Sequence, residues 1–294
     1  MLKEIDKNNV HFLYKYFNQI RQYIPQYFPV NIDIWHESMF NDYWIDGKPL
    51  FKELKTILYY EDNLLKGFIQ FGISRFIFTD DGIDETENYA IIRNIHYSKD
   101  SKNPEEMVEK AFEYFGNRFK EISAFFHIFG MSCYARHGKL HNSAFYIEQL
   151  LYKFSFIREH ENIYFSKNIS VDDNYNDPEI EYERSCIEPN KEKITFSFNN
   201  IQIGYCEIAY FHENISYLYY IEINKEFRHK NLGTRCMNII FEILQKRNVV
   251  RLDLDTIDSN YIAQNFYTKL EFIYKGITRS YYVDKNAPTS YNKR

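Results

Sequence analysis

The chain has 294 residues, room for two domains that each bury a core, with 45% hydrophobic, 26% charged, 10 Gly and 7 Pro, a globular rather than disordered composition. A net charge of -5 argues against a nucleic-acid surface, and no apolar run approaches the roughly 18 residues of a membrane span, so neither partner is expected. Met1-Leu2-Lys3-Glu4-Ile5-Asp6 does not read as a signal peptide, and Cys133, Cys186, Cys206 and Cys236 show no framework spacing, which points to free thiols in the cytoplasm.

In chain order, an amphipathic helix is expected from Asn8 to Tyr23, with Phe12, Tyr16 and Ile20 on its apolar face and Pro25 and Pro29 ending it. Asn31 to Phe40 has room for a second, short helix. A hairpin follows (Lys55 to Tyr60, then Asn63 to Gln70), then a strand at Tyr89 to Ile95 and a helix from Asn103 to Arg118. A strand at Ile122 to Ile128, a helix at Ser143 to Tyr152 and a strand at Phe156 to Phe165 close the first half. The acidic, Pro-terminated run Ser170 to Pro178 is the best linker, giving domains at 1–169 and 170–294.

The second half starts with a strand near Ile180 to Cys186 and a hairpin (Lys193 to Phe198, then Asn200 to Glu207). A strand at Tyr217 to Ile223, a helix at Leu232 to Gln245 and a strand at Val250 to Asp255 come next. A helix carrying Asn260 to Tyr267, a strand opening at Phe272 and a last strand at Ile277 to Val283 complete it. No pair of helices separates its first strand from its hairpin. Two order-preserving echoes suggest a duplication: Asn63-Leu64-Leu65-Lys66-Gly67-Phe68 with Asn200-Ile201-Gln202-Ile203-Gly204-Tyr205, and Lys153-Phe154-Ser155-Phe156-Ile157 with Lys269-Leu270-Glu271-Phe272-Ile273.

The stretch Ile223 to Gly233 carries the most chemical information, because it joins an aromatic strand through a polar loop to a helix. First-turn N–H groups have no intrahelical partner and the helix dipole favours negative charge there, a setting for phosphate. Over roughly Ile180 to Val283 the residues resemble a GNAT-superfamily acyl-CoA N-acyltransferase domain. That family's pyrophosphate loop reads Arg/Gln-x-x-Gly-x-Gly/Ala; Arg228, Leu232 and Gly233 match, and Asn231 stands for the first Gly. Asn tolerates left-handed backbone, so the loop can still close. The family's Asn-x-x-Ala-x-x-Phe-Tyr signature is met by Asn260, Ala263, Phe266 and Tyr267, and Lys269-Leu270-Glu271-Phe272 departs from Lys-Leu-Gly-Phe only at Glu271.

The resemblance implies an α/β (α+β) chain of two GNAT-like domains, each a mixed, mostly antiparallel twisted sheet flanked by helices, the first degenerate. It implies acetyl-CoA (CoA) as cosubstrate. The backbone of Tyr220 to Ile223, Ile221 and Ile223 included, would pair with the pantetheine arm. The amides of His229, Lys230, Asn231, Leu232, Gly233 and Thr234, with the charge of Arg228, would grip the pyrophosphate. Tyr267 would be the general acid to the leaving thiolate and Asn260 a polar contact to the cofactor arm. The family's base position falls on Tyr217, which is no base at neutral pH. Glu222 on the same strand and Glu207 on its neighbour are the remaining carboxylates, and strand parity across a possible bulge decides between them.

The first half lacks this equipment. Tyr97 to Pro104 contains no Gly, Leu151 aligns with Tyr267, and Glu105 and Glu106 would repel a pyrophosphate. It is expected to be a structural partner or a wall of the acceptor cleft, where Trp35, Tyr43 and Trp44 could line a pocket or fill a core. Cys133, His137 and His141 have helical ligand spacing, but Gly138 interrupts it and no fourth ligand is evident, so no metal is expected. The 27 Tyr and 26 Phe fit a compositional bias that also raises Asn, Ile and Lys.

The expected function is transfer of an acetyl group from acetyl-CoA to a primary amine, on a small molecule or a peptide, by a monomer or homodimer. A non-catalytic scaffold is the alternative that Asn231 and Tyr217 favour. A Fem-like aminoacyl transferase is disfavoured by the retained loop and the acidic balance.

Overall fold

A computed structural model of the chain describes residues 1–6, 8–40, 48–131, 138–170, 177–188, 190–211 and 214–286. Cys133, His137, Tyr43, Trp44 and most of the linker lie outside the described residues. The chain divides into two compact units, Met1–Glu161 with Ile277–Arg294, and Asn162–Gly276. The linker marks a boundary near 169/170, whereas packing assigns each strand to the sheet it pairs in, and so divides two strands.

Unit 1 holds β1 (Leu2–Glu4), α1 (Val10–Arg21), α2 (Ile32–Phe40), β2 (Phe51–Glu61), β3 (Leu64–Ser74) and a small β4–β5 ribbon (Ile77–Thr79, Gly82–Asp84). β6 (Ala90–Tyr97), α3 (Glu105–Phe115), β7 (Glu121–Ala124), β8 (Leu140–His141) and α4 (Phe145–Lys153) follow, and β9 (Ile157–Asn168) leads out. Unit 2 takes β9 from Asn162 and continues through β10 (Ile180–Glu188), β11 (Lys191–Phe198), β12 (Ile201–Tyr210) and β13 (Ile215–Ile223). Then come α5 (Leu232–Lys246), β14 (Arg251–Ile257), α6 (Tyr261–Lys269) and the start of β15 (Ile273–Asp284), whose residues from Ile277 belong to unit 1. The two strands expected at Phe272 and Ile277 are thus one.

Each unit is a mostly antiparallel sheet with one parallel pair. Unit 1 runs β1-β2-β3-β6-β7-β15 with β6 and β7 parallel; unit 2 runs β9-β14-β13-β12-β11-β10 with β14 and β13 parallel. Parallel neighbours need a crossover, supplied by α3 and by α5. The echoed turns explain the hairpins. Asp62, Asn63, Asn199 and Asn200 all have positive φ (49°, 62°, 51° and 60°), the pair of left-handed residues that lets a two-residue turn follow strand twist. The echoed glycines are spatial requirements: a Cβ on Gly67 would lie 2.6 Å from the His96 carbonyl oxygen, and one on Gly204 2.1 Å from that of Glu222.

Alternation along β2 and β3 feeds two cores in unit 1. Ile57, Tyr59, Ile69 and Phe71 pack with α3 and α4, while Leu58 and Phe68 face Leu13, Phe17 and Trp35 of α1 and α2. Trp35 is therefore core. The buried face of α1 is Leu13, Tyr16 and Phe17; Phe12, expected inside, is 49% exposed because the stripe runs one residue further round. The strand expected to Ile128 stops at Ala124, where Phe125 takes φ 54° and a 3-10 turn begins at His127. In unit 2, Leu232, Cys236, Met237, Ile240 and Leu244 of α5 cover Ile203, Cys206, Ile208 and Leu218. No helix occurs between β10 and β11 among the described residues, and no described helix is long and apolar enough to cross a membrane.

Candidate functional site

β13 and β14 start as a parallel pair but do not stay one. Their register runs from Ile215↔Arg251 to Leu218↔Leu254 and ends, although β13 continues to Ile223 and β14 to Ile257. The cause lies on the other side of β13. Glu207 pairs with Tyr220 and Ile208 with Leu218, so Tyr219 is an extra residue that bends the strand. From Tyr219 onward the β13 edge facing β14 has no strand partner among the described residues. Ile221 and Ile223 pack their side chains toward α5, while Tyr220 and Glu222 project to the opposite face.

β13 delivers the chain into the predicted loop. Asn224 anchors it to β12, its N–H donating to Ile203 O at 2.8 Å and its Nδ2 to Gln202 O at 3.0 Å. Lys225–Phe227 form a 3-10 turn, His229 has φ 62°, and Asn231 sits at φ 60°, ψ 6° as the N-cap of α5. Asn231 thus adopts the left-handed geometry a Gly would take, and its side chain does not cap the helix. The first intrahelical bond is Arg235 N–H to Asn231 O at 3.3 Å, leaving the N–H groups of Leu232, Gly233 and Thr234 without intrahelical acceptors. His229, Lys230 and Asn231 are exposed. Lys230 Nζ lies 5.5 Å from the Phe227 ring. Arg228 folds back on the strand, its Nε donating to Ile223 O at 2.7 Å and a terminal nitrogen 3.4 Å from Glu222 Oε1.

The signature on α6 has a structural account for each residue. Asn260 caps the helix, its Oδ1 accepting from the Ala263 N–H at 3.1 Å. Ala263 and Phe266 pack on the unit 2 core, and a Cβ on Gly233 would lie 3.5 Å from the Phe266 ring, ordinary contact that ties α6 to the start of α5. Tyr267 is 7% exposed among Phe165, Phe266 and Phe272, and burial, with the charge of Asp255, pushes its hydroxyl up to about 12. It is protonated at neutral pH, as a proton donor must be.

The carboxylates named from sequence are already engaged. Glu222 accepts from Tyr220 Oη at 2.7 Å beside Arg228, and Glu207 pairs with Lys191 at 2.7 Å. Tyr217 is 1% exposed. The residue sequence reasoning passed over is Asp255, partly buried one position beyond the last β13–β14 pair. Its signal was the alternation Leu252-Asp253-Leu254-Asp255, carboxylates every second residue in a central strand.

In unit 1 the equivalent opening is filled. Gln70 pairs with Asn94 and Phe71 with Ile92, so Arg93 is the extra residue at the bulge. It is 1% exposed and donates to the carbonyls of Phe129 (2.8 Å) and Gly130 (2.7 Å) and to those of Ser38 and Met39 (3.2 Å each). Leu151, aligned with Tyr267, is buried core. His141, the described member of the Cys-His-His spacing, bonds through Nδ1 to Ser143 Oγ at 2.8 Å, and no candidate metal cluster occurs among the described residues.

The sequence model of the Acetyltransferase (GNAT) family matches residues 154–272. No curated protein matches the chain. Among solved structures it is similar to a tandem GNAT protein from the clavulanic acid biosynthesis pathway, with TM-score 0.66, 8% identity, and coverage of 98% of this chain and 99% of that one. It is also similar to a GCN5-related glucosamine N-acetyltransferase region of a fungal multi-domain GH3 β-N-acetylglucosaminidase, with TM-score 0.65 and 10% identity over 96% of this chain. The chain spans 38% of the length of that fungal protein. A GCN5-related N-acetyltransferase from Sphaerobacter thermophilus gives TM-score 0.57 at 7% identity, covering 87% of this chain and 86% of that one.

Proposed function

Starting from a chain with the tandem GNAT fold, we propose that it is an N-acetyltransferase whose unit 2 uses acetyl-CoA to acetylate a primary amine by direct attack. The observation that carries this reading is the parting of β13 and β14 after Leu218↔Leu254, which ends at a left-handed Asn231 and the open N-terminus of α5. A pantetheine arm can add as a strand along the backbone of Tyr220 to Ile223, with Ile221 and Ile223 as its partners. The amides from His229 to Thr234 and the charge of Arg228 would hold the pyrophosphate. Tyr267 would protonate the thiolate, and Asn260 would use its remaining amide group on the cofactor arm. Unit 1, with Arg93 in its own opening, serves as a silent partner. Free Cys186, Cys206 and Cys236 support a reducing, cytoplasmic setting.

Titration with CoA and acetyl-CoA by calorimetry tests the cofactor half of the proposal, and an amine screen that detects released thiol tests the transfer. Absence of CoA binding at high micromolar concentration would overturn it. The engaged state of Glu222 and Glu207 favours a second reading, a non-catalytic scaffold of the same fold; binding of CoA without thiol release from any amine would establish it.

A further inference from the structure

Leu252 and Leu254 are 0% and 1% exposed under α5, so Asp253 and Asp255, alternating with them, project from the other face of the unit 2 sheet. That face is aromatic. Tyr164 stands opposite Asp255 and Tyr217 opposite Asp253 in strand register. The ring centroids of Tyr164 and Tyr217 are 6.4 Å apart, and those of Tyr217 and Tyr219 are 5.0 Å apart.

The two aspartates have different surroundings. Asp253 is 1% exposed, with Arg251 at 3.0 Å and the Tyr164 hydroxyl at 2.9 Å. Asp255 is only partly buried and lies where β13 has turned away. Tyr217 beside it is 1% exposed, and its hydroxyl lies close to the Asp255 carboxylate. Burial first, then the charge of Asp255, pushes the Tyr217 pKa up, and the same charge adds to the effect of burial on Tyr267.

We propose that Asp255 receives the ammonium group of the acceptor and takes its proton, with Tyr217 as positioning residue, so that the substrate is an alkylammonium held against Tyr217 and Tyr219. This rests on the acetyl-transfer reading above. One proton passes from the ammonium to the Asp255 carboxylate. The freed amine forms a C–N bond to the thioester carbonyl as the C–S bond breaks. Tyr267 protonates the departing thiolate and recovers a proton from the same nitrogen, while Asp255 returns its proton to water. An aromatic wall with one partly exposed carboxylate suits a cation with an aliphatic stem, through ion pairing and cation–π contact.

The test compares two acceptors at neutral pH: diaminobutane, which is cationic, and hydroxylamine, which is neutral and needs no base. Asp255→Asn should lower kcat/KM for diaminobutane about 100-fold or more while hydroxylamine turnover and the acetyl-CoA Kd barely change. Asp255→Glu should restore part of the loss, and Tyr217→Phe should raise KM for diaminobutane several-fold at nearly constant kcat. Equal loss with both acceptors, or no loss with either, overturns the assignment. So does a parent chain that turns over hydroxylamine but not diaminobutane. Failure of the acetyl-transfer reading looks different: the parent chain then binds no acetyl-CoA, or releases thiol with neither amine.

Discussion

Asn231 is a sharp point at which to perturb the loop. With φ 60° and ψ 6° it occupies the left-handed region, which costs an ordinary L-residue roughly 1–2 kcal/mol and Asn less, because its short amide bonds locally. Asn231→Ala keeps the geometry and loses that relief, so a destabilisation of about 1 kcal/mol is expected. Asn231→Gly removes the steric term but adds about 0.5–1 kcal/mol of unfolded-chain entropy, leaving it close to the parent. Asn231→Val, β-branched, should cost the most, about 2 kcal/mol. For a unit of this size 1 kcal/mol moves Tm by roughly 3–5 °C, readable by scanning calorimetry on the transition of unit 2. If the strain is relieved by loop opening in the free protein, CoA affinity should fall by about fivefold in Asn231→Ala and recover in Asn231→Gly. An alanine variant as stable as the parent, binding CoA equally well, would refute the left-handed assignment and with it the preformed phosphate loop.

Further perturbations reach the rest of the molecule. Tyr267→Phe should reduce turnover by about 100-fold with CoA binding retained; unchanged turnover excludes Tyr267 as the acid. Glu222→Gln breaks a half-exposed pair with Arg228, so stability should change by less than about 0.5 kcal/mol and turnover by little; a 100-fold fall in turnover would make Glu222 the base instead of Asp255. Gly204→Ala drives a Cβ to within 2.1 Å of the Glu222 carbonyl oxygen, so urea unfolding should show a loss of about 2–3 kcal/mol in unit 2, and a neutral result would contradict the register of β12 on β13. His96, fully buried in unit 1, has its pKa lowered by burial from 6.5 to about 3. Its neutral form therefore stabilises the fold fully above pH 6.5, and that contribution is lost as pH falls toward 3, because the unfolded chain binds the proton first. His96→Phe should flatten the stability slope of unit 1 across that window, measured by urea midpoints at stepped pH.

The sequence by itself determined the order of the main strands and helices up to Phe272, the duplication, and the strand-loop-helix at Arg228 to Gly233, because all of these rest on local physics. Asn turns at 62–63 and 199–200 impose hairpins through backbone sterics alone, Gly67 and Gly204 recur because a neighbouring backbone comes too close, and α5 shows its apolar stripe at helical spacing. It also showed that Tyr97 to Pro104 contains no Gly, though not that Arg93 is the buried extra residue at the β6 bulge. The tertiary structure decided what depends on pairing between distant residues. Whether β13 and β14 part after Leu218↔Leu254 follows from one bulged residue, Tyr219, and a bulge has no signature in a run of tyrosines. That same bulge reverses side-chain parity along β13 and leaves Glu222 beside Arg228, while the register of β14 on the unbulged part of β13 sets Asp255 near Tyr217. The assignment of β15 from Ile277 to unit 1 was equally invisible, because a strand's own pattern says which face is buried and not which sheet it joins.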